Sequence, residues 1–322
     1  MLSQAIVVVG AMKPTAALLF LAACASGPAP LPVRFEPTGD VVYKIDDDLG
    51  HESWDFALVT PDGIDRLRVE HLAAGTRVHT VELAGPALAA YRQEGAFRYL
   101  DFRLPAVAAA DTVEVTLFAG NAVRARGRAR LARFEQRQDF RLPVSGCWFV
   151  SSGHDFGVEH RRHYSRGHFA WDLVRVDAQG RPSTGPRAED HLAFGAPVLA
   201  PGDGVVVEAR GDLDDRPPGS PGKRDDANII VIEHGDGVRS RLMHLRKGSV
   251  RVAAGDRVTV GQVIAAAGNS GASDAPHLHL HFERAGLPLP VQLGHYRVTW
   301  NQGTDLPVDR GRPRRGQFVC AD

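Results

Sequence analysis

Three histidines occupy alternate positions in Pro276-His277-Leu278-His279-Leu280-His281-Phe282-Glu283, and an earlier segment, His168-Phe169-Ala170-Trp171-Asp172, adds an imidazole and a carboxylate. Neutral imidazole and carboxylate are the nitrogen and oxygen donors of a catalytic zinc ion, which takes three protein groups and keeps a fourth position for water. Successive side chains of a strand point to opposite faces. His277, His279 and His281 therefore share one face, with neighbours roughly 6.6 Å apart along the strand, while Leu278, Leu280 and Phe282 pack on the other. On such a face one histidine can hold an ion while the next reaches the water bound to it.

The elements that must position these groups are read from the rest of the chain. Its 322 residues suffice for two domains, and 38 basic against 38 acidic side chains give no electrostatic reason to expect nucleic acid. With 43% apolar residues, 34 glycines and 21 prolines, the composition suits short strands joined by turns, so the expected class is mainly β. Residues 36–142 alternate apolar and polar side chains in runs such as Arg66-Leu67-Arg68-Val69-Glu70 and Thr112-Val113-Glu114-Val115-Thr116-Leu117-Phe118. They predict a β-sandwich-like accessory domain with a short helix near 87–94, and its lack of clustered catalytic side chains suggests a positioning or binding role. Residues 143–292 predict strands at 205–209, 229–233, 257–260, 263–267 and 277–283, with a polar loop at 211–223 that is either a groove wall or a solvated insertion. The stretch 293–322 has little periodicity and reads as a surface tail held by Cys320.

The amino terminus carries address information. Met12-Lys13 and the apolar run through Ala23 have the charged start and short core of a secretory signal, too short for a bilayer span, so 1–23 is excluded from the fold and translation is expected to start at Met12. Leu21-Ala22-Ala23-Cys24 resembles the bacterial lipobox, which implies a lipid on Cys24 and makes the proline- and alanine-rich stretch 24–35 a tether. Ala25, where many inner-membrane lipoproteins carry aspartate, implies attachment to the outer membrane facing the periplasm. With Cys24 lipidated, Cys147 and Cys320 are an even pair in an exported protein and are expected to form a disulfide.

The second region carries further motifs in a fixed order. Gly195-Ala196-Pro197-Val198-Leu199-Ala200-Pro201-Gly202-Asp203-Gly204 is followed by Asn228-Ile229-Ile230-Val231-Ile232-Glu233-His234-Gly235, then Met243-His244-Leu245, Gly255-Asp256-Arg257-Val258 and Gly268-Asn269-Ser270-Gly271. From about His168 to Val291 this chain of motifs resembles the lysostaphin/LytM family of zinc peptidases, which cut peptide bonds in bacterial peptidoglycan. The resemblance implies a LytM-type peptidase domain of barrel-sandwich-like antiparallel sheets. It implies one Zn2+ held by His168, Asp172 and His279, with His277 and His244 beside the bound water as general base and transition-state stabiliser. Imidazole suits that work because it exchanges protons near neutral pH. The four residues between Gly271 and Pro276 match the family interval and assign the pair to His277 and His279; the alternative makes His279 the base and His281 the ligand. Ala170 and Leu242 depart from the glycine and tyrosine of the family pattern. In a straight strand the α-carbons of His168 and Asp172 would lie roughly 13 Å apart, so the chain must bend there. The family also includes members that have lost ligands and activate other wall hydrolases, whereas all five polar groups are kept here.

The remaining features carry blander readings. His154, Asp155, Glu159, His160 and His163 read as a solvated loop or a substrate contact, Arg161, Arg162 and Arg166 as a salt-bridged surface or as partners of substrate carboxylates, and His191 and His234 are assigned no chemistry. Segments 195–206 and 255–262 also resemble biotinyl and lipoyl carrier domains, but Lys223 and Lys247 lack the flanking residues of a modified lysine.

Overall fold

Alternation in the amino-terminal half becomes a sheet with one dry face. Arg66–Ala73, Thr76–Ala84, Thr112–Ala119 and Ala122–Arg133 pair antiparallel, with Leu67 opposite Leu117 and Glu114 opposite Arg128. Leu67, Val69, Val113, Val115, Leu117, Ala125 and Ala129 point inward, against Trp54, Phe56 and Leu58 of the Glu52–Val59 strand. Each large side chain buried this way contributes about 1.5–3 kcal/mol. Val41–Asp46 runs parallel to the end of Ala122–Arg133 and carries the ten-stranded sheet on to Glu52–Val59 and Phe97–Phe102. The expected helix is present but shorter and earlier, at Gly85–Ala89, without a side-chain cap. So short a helix has little stability of its own, and Gln93–Glu94 instead pairs with Phe97–Phe102.

These elements belong to a computed structural model that describes residues 31–36, 38–46, 52–91, 93–94, 97–102, 107–154, 167–220, 222–223, 226–299 and 305–321. The signal segment, Cys24, residues 25–30 of the tether, and Asp155, Glu159, His160, Arg161, Arg162, His163 and Arg166 lie outside the described residues.

The second half builds an eleven-stranded sheet whose middle is the triple-histidine strand. Leu278–Arg284 pairs on one side with Val238–Met243, which leads on to Ile229–Glu233, Gly204–Arg210 and Arg257–Val258. On its other side lies Trp171–Arg175, followed by Gly146–Ser152. Trp148, Trp171, Leu173, Ile230, Ile232, Leu242, Leu278, Leu280 and Phe282 fill one continuous core. Pro197–Leu199 and Val263–Ala266 form a separate pair. The two halves meet where the Tyr43 ring stands edge-on to Phe134 and Phe169, with centroids 6.1 and 6.4 Å away.

The carboxy-terminal stretch is not a surface tail. Leu293–Thr299, Asp305–Gly311 and Phe318–Ala321 are strands of the large sheet, and Phe318–Ala321 pairs directly with Gly146–Ser152. Asp305–Gly311 is an outer strand with mostly exposed side chains and a proline, so it shows none of the alternation that marks a half-buried strand. Cys147 and Cys320 face each other in the register and are joined as a disulfide, with α-carbons 4.1 Å apart.

Candidate active site

Asp172 and His279 are directly opposite residues on neighbouring antiparallel strands. Such partners project on the same face within side-chain reach. His279 Nδ1 lies 2.9 Å from Asp172 Oδ1, and His277 Nε2 approaches the same oxygen at 3.4 Å. Behind His279, its Nε2 stands 2.9 Å from His281 Nδ1. Carboxylate, imidazole and imidazole thus form a chain in a buried setting, with His279 4% and His281 0% exposed. His281 stands on the far side of the His279 ring from Asp172, and the register puts Arg241, not Asp172, opposite it.

Two further imidazoles are fixed by backbone carbonyls. His277 Nδ1 lies 2.8 Å from the Ala275 carbonyl and His244 Nδ1 2.8 Å from the Ser270 carbonyl. A carbonyl only accepts, so Nδ1 carries the proton in both rings and Nε2 is the exchangeable position. The His244 ring is centred 4.7 Å from His277 and 5.8 Å from His279. Its backbone is left-handed, at φ 61°, a conformation that costs a non-glycine residue free energy and is characteristic of functional sites.

Gly268-Asn269-Ser270-Gly271 is the scaffold for this pair. Gly268 bridges His277, and its N–H donates to the His244 carbonyl at 2.9 Å. Ser270 Oγ donates to Leu245 O at 2.8 Å and accepts from Asn228 N–H at 3.0 Å. A Cβ at Gly268 would sit 2.4 Å from the Arg246 backbone, so only glycine permits this approach. The 211–223 loop is laced to the same scaffold. Asp215 Oδ1 accepts from Asn269 N–H at 2.7 Å, and Asn269 Nδ2 donates to Arg216 O at 2.7 Å.

His168 lies on the turn that leads into Trp171–Arg175, where Ala170 N–H closes onto Gly167 O at 3.0 Å. The chain turns here, and buried Ala170 occupies the turn without a glycine. His168 is 3% exposed, with its ring edge-on to Phe169. His154, expected in a solvated stretch, is instead a buried support of this turn. Its Nε2 donates to Phe169 O at 2.7 Å, and its ring stacks on Trp171 at 4.1 Å. A lone histidine after a glycine carries no periodicity that announces this role. His234 uses both ring nitrogens structurally, on Asp203 O and Ser240 Oγ, and His191 donates to Gly185 O.

The sequence expectation of three assembled metal donors is not met as such. Among the described residues no three His, Cys, Asp or Glu side chains are gathered as ligands around one point. The carboxylate of Asp172 is engaged in hydrogen bonds with imidazole instead. Donor chemistry and spacing nevertheless fit a cation. Two ligands of a tetrahedral zinc stand roughly 3.3 Å apart, and the Asp172–His279 contact at 2.9 Å comes near that value. His281 behind His279 is the support that a ligating imidazole requires.

Electrostatics separate the two carbonyl-bound imidazoles. Burial, reinforced by the neighbouring His277 and His279, lowers His244 to about 3, so this ring is neutral throughout the physiological range. Burial is also the largest single influence on His277 and acts downward. The charge and hydrogen bond of Asp172, with the Ala275 carbonyl, outweigh it and raise the pKa.

Comparison with known proteins matches residues 189–290 to the model of peptidase family M23. His244, His277 and His279 fall inside that match, whereas His168 and Asp172 precede it. Peptidoglycan DD-endopeptidase ShyA of Vibrio cholerae is 32% identical over 154 residues, covering 48% of this chain and 29% of that protein. Glycyl-glycine endopeptidase ALE-1 of Staphylococcus capitis is 42% identical over 89 residues, 27% of this chain and 21% of that one. The chain therefore spans less than a third of the length of these curated relatives. Among solved structures, a zinc-containing peptidase from Vibrio cholerae aligns at 17% identity and TM-score 0.32, covering 77% of this chain and 83% of that one. The lysostaphin catalytic domain of Staphylococcus simulans aligns at 26% identity and TM-score 0.27, covering 44% and 80%. The likeness to peptidase family M23 thus lies in residues 189–290, the part of the chain that holds His244, His277 and His279.

Proposed function

We propose that this protein is a zinc metalloendopeptidase that hydrolyses peptide bonds in peptidoglycan cross-links or stem peptides. The observation that carries the reading is the convergence of His277 Nε2 and His279 Nδ1 on Asp172 Oδ1, with His244 packed beside them. The names of the relatives, a peptidoglycan DD-endopeptidase and a glycyl-glycine endopeptidase, support the substrate class.

Asp172 and His279 would hold the ion together with His168. When bound, it supplies Lewis acidity to the scissile carbonyl and lowers the pKa of its water. With the ion held, the ring proton of His279 would sit on Nε2 and donate to His281 Nδ1. His277 and His244, each held through Nδ1, turn Nε2 to the reacting groups; one takes the proton of the attacking water, and the other donates to the developing oxyanion. In the same reading Cys24 carries a lipid that anchors the protein to the periplasmic side of the outer membrane.

Purified sacculi test the activity. The zinc-loaded protein releases muropeptides with newly exposed peptide termini, and a chelator abolishes the release. Release only after an amidase is added would overturn the enzymatic reading in favour of an activator.

A further inference from the structure

The outer face of the first sheet carries a file of arginines that the proposed hydrolysis does not use. Ala122–Arg133 turns Ala125, Ala129 and Leu131 into the core, so Arg126, Arg128 and Arg130 project outward at every second position. Arg124, beside a bulge in the register, is exposed as well. Beyond the intervening strand Thr112–Ala119, Arg66–Ala73 adds Arg66 and Arg68, stacked on Phe118 with guanidinium carbons 3.8 and 5.4 Å from the ring centre.

The carboxylates on this face are already engaged. Glu114 pairs with Arg128, and Glu82 with Arg66 and Arg68. None of the ion pairs among the described residues engages Arg124, Arg126 or Arg130. A chain with equal numbers of acidic and basic groups thus concentrates unneutralised positive charge on one sheet face.

The tether reaches this face. Leu31–Pro32 pairs parallel with Ala125 and Arg126, so the chain enters the fold alongside the arginine file. Six residues lie between Cys24 and Leu31, and the seven residue steps span at most about 25 Å. Beside a lipid anchor, a basic patch adds an electrostatic hold on an anionic membrane surface.

We propose that the face bearing Arg124, Arg126 and Arg130 is a docking surface for the anionic headgroups of the membrane to which Cys24 tethers the chain. The peptidase half is then held at a set orientation to the bilayer. This inference rests on the anchored reading of Cys24 and is independent of the hydrolytic one.

Sedimentation of the full chain tests it, with vesicles of phosphatidylcholine alone or with phosphatidylglycerol added. Any binding through the apolar amino-terminal segment is common to both vesicle types, so the increment due to phosphatidylglycerol reports the headgroup interaction. That increment is expected to disappear at high salt. An arginine near an anionic surface is worth about fivefold in affinity, so R124Q/R126Q/R130Q weakens binding to the anionic vesicles on the order of a hundredfold. R251Q/R257Q, which removes exposed arginines of the other half, leaves it unchanged. Equal binding of parent and triple variant overturns the proposal, as does a parent that does not distinguish the vesicles, whatever the fold of the variant. Arginine-dependent binding to isolated sacculi in place of vesicles would assign the face to a wall polymer and overturn it too.

Discussion

Asp172 Oδ1 and His279 Nδ1 stand 2.9 Å apart because their strands pair in a register that sets the two residues directly opposite each other. Neutralising that carboxylate without changing its shape separates charge from packing. Asp172→Asn is expected to leave the fold intact and to lower peptidoglycan hydrolysis by about a hundredfold or more. Activity within a few-fold of the parent, measured on sacculi with folding checked by circular dichroism, would remove Asp172 from the site.

His281 holds the other side of the same ring. Loss of a partner of a ligating histidine costs about 10–100-fold in metal affinity. His281→Ala should weaken zinc binding by that factor in a competition titration, and His281→Gln, which can still accept the Nε2 proton, should recover part of it. Unchanged affinity in both variants would make His281 a core residue only.

The disulfide between Cys147 and Cys320 closes a loop with a sequence separation of 173 and ties the last strand to Gly146–Ser152. Cys147→Ser with Cys320→Ser should cost about 2–4 kcal/mol of stability. Denaturant titration of oxidised protein against this variant checks it, and coincident midpoints would contradict it.

His71, buried in the first half beside Trp54 and across from His79, has its pKa lowered to about 4 by burial and by the His79 charge. The unfolded chain takes up a proton near pH 6.5, and the folded one only near 4. Stability is therefore full above pH 6.5 and falls as pH drops toward 4, by up to about 3 kcal/mol. His71→Phe should flatten that part of the stability profile; a slope equal to the parent's would assign acid sensitivity to other groups.

Much of this architecture was legible in the sequence where one physical signal dominated. Ile229–Glu233 is an apolar run buried on both faces and appears at the expected bounds. The alternation of the triple-histidine strand predicted a shared histidine face. It did not predict that His281 and Glu283 on this face are buried almost as fully as Leu278, Leu280 and Phe282 on the other. Asp305–Gly311 was illegible because an exposed outer strand needs no apolar alternation and its pairing is set by tertiary contacts. The role of His154 was hidden for a related reason. Its partner, the Phe169 carbonyl, is a backbone atom fifteen residues away, and no side-chain pattern encodes it.

The central claim is tested most directly by elemental analysis of purified protein, with hydrolysis of sacculi measured on the same samples. The parent should hold one zinc ion per chain. His168→Ala and His279→Ala should lose most of it, and His277→Ala should keep it while hydrolysis falls by orders of magnitude. Full zinc content in His279→Ala would contradict the account.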